Sequence, residues 1–252
     1  MKNRSLFFIT TILLALFSLN SNPLSSAPYH QHVRESSLRA KNPKVKVVIN
    51  KLKKVPESRQ LIEEALQGGP ITVDLVFKGM PFEAMWENTM RKISIDGRAH
   101  RDQGRLLCHL LFELHNAASD SEYLELYDMA LNGEIDCDSY VETVEKIEHE
   151  NMISTVAIIE KGISAGVFPS SARWEIIYDF PTHYKIQQLT EHSLFIAREY
   201  QEMSRRNRFS TYRGTVKNLK RMSQREKNSL AGYLYTNYFQ TLREEHTFPK
   251  EA

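Results

Sequence analysis

At Asp96-Gly97 the apolar spacing of this chain changes, and that change limits its folds more than any other feature. Before it, apolar residues recur every second position. Ile71, Val73, Leu75 and Phe77 alternate with Thr72 and Asp74. Phe82, Ala84 and Trp86 alternate in turn, as do Ile93 and Ile95. Period two is the mark of a strand with one buried face. The last two runs read as a hairpin turning at Asn88-Thr89, so this part predicts a small antiparallel sheet of about three strands. After Gly97 the spacing is helical almost throughout. A sheet followed by a helical body is an α+β, predominantly helical fold.

The helices are delimited by their own signals. Glu57 to Leu66 carries Leu61, Ile62, Ala65 and Leu66 and is stopped by Gly68-Gly69-Pro70. Arg101 to Ala118 has a broad apolar stripe through Leu106, Leu107, Leu110, Leu111, Leu114 and Ala117. Ser121 to Leu131 follows, with Asp120 as its cap and Gly133 as its stop. A long helix from Ser139 to about Ile163 comes next. Ser171 to Tyr178, Tyr184 to Arg205 and Arg213 to Glu245 complete the set, with a capping box at Ser223-Gln224-Arg225-Glu226.

The first residues read as an address. Lys2 and Arg4 precede an uncharged apolar run, Leu6 to Leu19, of 14 residues. A membrane-crossing helix needs about 20. The pattern is that of a secretory signal peptide occupying 1–27, with a small, polar stretch ending at Ser25-Ser26-Ala27. The expectation is export through the Sec pathway to a periplasmic or extracellular location. Contact with a membrane is expected only through an uncleaved signal segment. Residues 28–55 are basic, facing one acid, Glu35, and read as a flexible segment with one short strand at its only apolar cluster, Val45, Val47, Val48 and Ile49. Residues 56–252 then form a single mainly helical domain.

Composition excludes several classes. Two cysteines, Cys108 and Cys137, cannot build a disulfide scaffold or a thiolate zinc module, although they leave one bridge open. There is no G-x-S-x-G, no G-x-G-x-x-G and no P-loop. The net charge of +2 hides a segregation. Residues 111–160 hold 13 acids and one base, Lys146, whereas 205–227 hold nine bases and one acid, Glu226. Either these stretches pack together, or the basic one meets an unknown protein partner or another acidic surface. Apart from Tyr212, the tyrosines (Tyr233, Tyr235, Tyr238) follow the basic run instead of interleaving with it, so no nucleic acid is expected.

The stretch Cys108-His109-Leu110-Leu111-Phe112-Glu113-Leu114-His115-Asn116-Ala117 is where chemistry is to be sought. Strands, a polar loop and then a helix with a glutamate among apolar residues resemble the zincin metallopeptidases over about residues 71–165. In that family H-E-x-x-H places two zinc ligands one helical turn apart, with the glutamate acting on the metal-bound water. The motif's glutamate falls on Glu113 and its ligand positions on Phe112 and Asn116, neither of which suits zinc. The third ligand of some members, a glutamate on a later helix, corresponds to Glu145 or Glu148. The resemblance implies an exported pseudoenzyme without standard zinc ligands, a binding or effector-type protein for which no cofactor is expected.

Two alternatives stay open. One is an active metallohydrolase, peptidase-like, with Glu113 as its catalytic carboxylate. Its zinc would be held by a rearranged set, His109, Glu113, Glu145 and Glu148; His109 and Glu113 share a helix face at i, i+4. The other is a helical interaction module with a basic C-terminal face. His115 and His149 are further ligand candidates, and His192 reads as a core or boundary residue.

Overall fold

The structure is a computed structural model that describes residues 37–204 apart from 78–79, 81 and 99–101. The signal-type segment at 1–27, the first part of the basic segment and the basic run at 205–227 lie outside the described residues, as does the helix read for Arg213 to Glu245. The fold is α+β and mostly helical, with a small mixed four-stranded sheet preceding a helical body. The chain divides into two compact units. One holds the described residues up to Asp120 together with Ser154–Trp174, and the other holds Ser121–Ile153 with Glu175 onward.

The first unit contains the sheet. Strands β1 (Leu38–Ala40), β2 (Ile71–Val76), β3 (Ala84–Glu87) and β4 (Lys92–Asp96) lie in the order β1-β2-β4-β3. The β3–β4 hairpin is antiparallel, pairing Trp86 with Ile93. The other two pairings are parallel: Leu38 with Ile71, and Val73 with Ile93. The sheet is therefore mixed where an antiparallel one was expected. The reason is topological. In the strand order β4 lies between β2 and β3, and β1 reaches β2 through two helices, as a parallel crossover requires. Ile71, Val73, Ala84, Trp86, Ile93 and Ile95 are wholly buried, as their alternation predicted.

Those two helices are α1 (Pro43–Leu52) and α2 (Pro56–Ala65), the latter closing in a 3-10 turn at Leu66–Gly68. Helix α1 lies inside the segment read as flexible. Asn42 caps it by accepting from the Lys44 amide at 2.9 Å, Pro43 opens it, and Val45, Val48, Ile49 and Leu52 bury one face. Helix α3 (Gln103–Ala118), capped by Asp102, packs on β3, β4, α1 and α2. Twelve of its 16 residues are buried, so it is the central element of this unit and has no solvent-facing stripe. Trp174 covers His109 and Phe112, with ring centroids 5.0 and 5.3 Å away.

The second unit is helical: α4 (Asp120–Asn132), the part of α5 (Cys137–Ser164) up to Ile153, α6 (Phe180–Leu189) and α7 (His192–Ser204). Gly133, at φ +73°, ends α4 in the left-handed conformation that favours glycine. Tyr200 on α7 donates to the Ile135 carbonyl at 2.9 Å, and its ring meets Tyr140 at 5.4 Å, tying the start of α5 to α7. Cys108 and Cys137 are both buried free thiols, pushed up to about 12 by burial. The helix expected from Ser171 to Tyr178 is absent. Residues 172–179 are irregular and extended, burying Ala172, Trp174, Ile176 and Ile177 while Arg173 and Glu175 face solvent. The helix expected from Tyr184 to Arg205 is two helices, broken at Thr190-Glu191, where Glu191 takes φ +71°.

Candidate metal centre and the zincin-like helix

In the sheet-bearing unit, α3 presents the motif positions. Phe112, Glu113 and Asn116 are all at 0 % exposure, and the Asn116 side-chain amide donates to Glu113 Oε2 at 3.2 Å. The residue at the second ligand position of the zincin pattern therefore serves as a hydrogen-bond partner of the motif's glutamate. A carboxylate inside an apolar helix needs such a partner.

His109 is engaged elsewhere in that unit. Its Nε2–H donates to Glu83 Oε2 at 3.0 Å, and Arg105 closes the other side of Glu83 through Nε and Nη2. Burial lowers the pKa of His109, and Glu83 opposes that shift without reversing it. Burial works to raise Glu83, but hydrogen bonds from His109 and Arg105 outweigh it and hold this carboxyl down at about 2. His115, on the opposite side of α3 from Glu113, is held down at about 4 by burial.

The helical unit contains a second polar core. On α5, Glu145 and Glu148 stand three residues apart and so share a face. The first turn of α7 supplies His192 and Ser193. The His192 ring lies between the carboxylates, with Nδ1 2.9 Å from Glu145 Oε1 and Nε2 3.6 Å from Glu148 Oε2. Ser193 donates to Glu145 Oε1 at 2.6 Å. All four side chains are buried. Desolvation pushes Glu145 toward its neutral form, but the charges of His192 and His183 and two hydrogen bonds prevail and leave its pKa lowered.

Two more histidines line this core. His183 on α6 accepts from the Gln187 side-chain amide at 3.4 Å and is held down at about 4 by burial, the charge on Glu145 only partly opposing it. His149 donates through Nε2 to the Ile177 carbonyl at 2.7 Å and packs against His183, with centroids 4.7 Å apart.

Among the described residues, one group of three or more His, Cys, Asp and Glu side chains has ligand atoms within 4.8 Å of one another: Glu145, Glu148 and His192. Two of the four ligands read from sequence, Glu145 and Glu148, fall in this group. His109 and Glu113 lie in the other unit with the partners just described. His192, taken from sequence as a core or boundary residue, is the member that sequence reasoning missed. Its signal is faint: a histidine at the start of a helix, 47 positions from Glu145, after a break that no glycine or proline marks.

No family model matches this chain, and neither curated proteins nor solved structures yield a match.

Proposed function

We propose that this is an exported protein of zincin-like layout that works by binding and has no peptidase activity. One observation carries the reading: Asn116 binds Glu113, and both are sealed with Phe112 inside the core of α3. A general base for hydrolysis must reach a metal-bound water. Here the glutamate is committed to an amide, one ligand position is an aromatic hydrocarbon, and no imidazole occupies either ligand position of the motif. The binding surface in this reading is the basic run 205–227, nine bases to one acid, and its partner is acidic.

Two measurements test the two halves. Wild type and Glu113→Gln should both leave an unfolded casein-type substrate uncleaved, before and after zinc is added. Chelator-sensitive cleavage that Glu113→Gln abolishes would overturn the reading. Binding to immobilised polyglutamate should weaken steeply with salt and disappear when the bases of 205–227 are changed to serine. Unchanged binding in that variant removes the basic run from the proposal.

A further inference from the structure

We propose that Glu145, Glu148 and His192 form a site for one divalent transition cation, zinc by preference, that staples α7 to α5 within the helical unit. The site uses none of the motif residues of α3 and stands independently of the zincin-like reading.

Four features support it. First, the donor set matches: two carboxylates and an imidazole are ligands for zinc, whereas an imidazole disfavours magnesium and calcium and the lack of thiolate disfavours copper(I). Second, the spacing matches. Around a tetrahedral ion with ligand distances near 2.0–2.2 Å, ligand atoms lie about 3.3–3.6 Å apart. The ligand atoms of the three residues already lie within 4.8 Å of one another, with His192 Nε2 and Glu148 Oε2 3.6 Å apart.

Third, Glu145 has an oxygen to give. Its Oε1 already receives His192 Nδ1–H and the Ser193 hydroxyl. Its Oε2 is buried and accepts no hydrogen bond among the described residues. In a side chain at 0 % exposure, that is an acceptor waiting for a positive partner. One oxygen of each carboxylate and one imidazole nitrogen then form the ligand set, the His192–Glu145 hydrogen bond giving way to the ion while the Ser193 hydroxyl stays on Glu145 Oε1. Fourth, charge balances: a dication and two carboxylates are neutral together with an uncharged imidazole.

The ligands come from α5 and α7, and α7 begins directly after the Thr190-Glu191 break that ends α6. Glu191 takes a left-handed φ of +71°, and the next two residues, His192 and Ser193, both reach Glu145 on α5. Because all three side chains are buried, the ion is structural, and its binding is coupled to closing α7 on α5.

The test is metal analysis of the full chain purified without chelator, followed by refolding with zinc, manganese or magnesium alone. About one equivalent of zinc should be retained after gel filtration, and zinc should raise the unfolding midpoint where magnesium does not. His192→Ala and Glu148→Gln should each lose that equivalent or weaken zinc at least tenfold, while circular dichroism checks that they fold. Glu113→Gln should keep it, which separates this site from α3. If folded wild type refolded with zinc retains none, the triad is a closed ion pair with an imidazolium at its centre and the proposal fails. It also fails if zinc is retained unchanged by folded Glu148→Gln and Glu145→Gln.

Discussion

Replacing His115 by glutamine isolates the electrostatic cost of desolvating a half-buried imidazole on α3. The imidazole lies beside the buried stripe, its Nε2 has no hydrogen-bond partner among the described residues, and burial alone brings its pKa from 6.5 to about 4. A folded-state value below the unfolded one means that the unfolded chain binds more protons in the window between them. Stability from this group is therefore complete above pH 6.5 and is lost as the pH falls toward 4. With those two values, linkage gives a loss of about 2 kcal/mol between pH 7.5 and pH 5, most of it below pH 6.5.

Urea unfolding of wild type and His115→Gln at both pH values measures it. Only the change with pH is compared, so any difference in absolute stability between variant and wild type drops out. His109 and His183 have lowered pKa values too and steepen both curves alike, which the comparison removes. Wild type should fall by about 2 kcal/mol more than the variant. Parallel losses, within about 0.5 kcal/mol, would show that this half-buried imidazole is solvated or hydrogen-bonded, and the account of its ring as desolvated would fail.

Gly104→Ala should cost about 2 kcal/mol in denaturant unfolding, because a Cβ there meets backbone, the Ala172 nitrogen at 2.4 Å and the Ser171 carbonyl carbon at 2.5 Å. Glu83→Gln should lower stability at pH 7 by about 1–2 kcal/mol, the cluster being partly solvated. Because the Glu83 carboxyl is held down at about 2, its contribution is complete above pH 4.5 and fades as the pH falls toward 2, so the wild-type and variant curves should converge there. Thiol titration should find two reactive groups after denaturation and slow reaction of both in the native protein, since each is buried and pushed up to about 12. No thiol in the denatured chain would mean a Cys108–Cys137 bridge.

The parts of the fold legible in the sequence are those whose signals are local. The Gly68-Gly69-Pro70 stop, the turn after Glu87 and the alternation of Ile93 and Ile95 each act over a few residues, and each appears where it was read. Helix α1 was legible too: Asn42 before Pro43, then Val45, Val48, Ile49 and Leu52 at helical spacing, but its lysines drew attention to charge. Strand order was not legible, because nothing in β3 states that β4 will come between it and β2. Residues 172–179 show the ambiguity of short apolar runs. Ala172, Trp174 and Ile176 alternate, and the adjacent Ile177 makes the run look helical.

The candidate metal site divides the same way. Glu145 and Glu148 are three apart and visible as a pair. His192 depends on a left-handed residue at Glu191, and a glutamate gives no warning of that conformation.

The strand order also sets a sequence of assembly. The β3–β4 hairpin closes a loop of a few residues, β2 must then find β4 about twenty positions away, and β1 joins β2 across 33 positions, from Leu38 to Ile71. Loop-closure entropy rises along that series, so the hairpin forms early and β1 docks last. Its three residues hold one outer edge with few ladder bonds. The amides of Leu38–Ala40 should accordingly exchange with solvent soonest in the sheet, and those of Lys92–Asp96, paired on both sides, last.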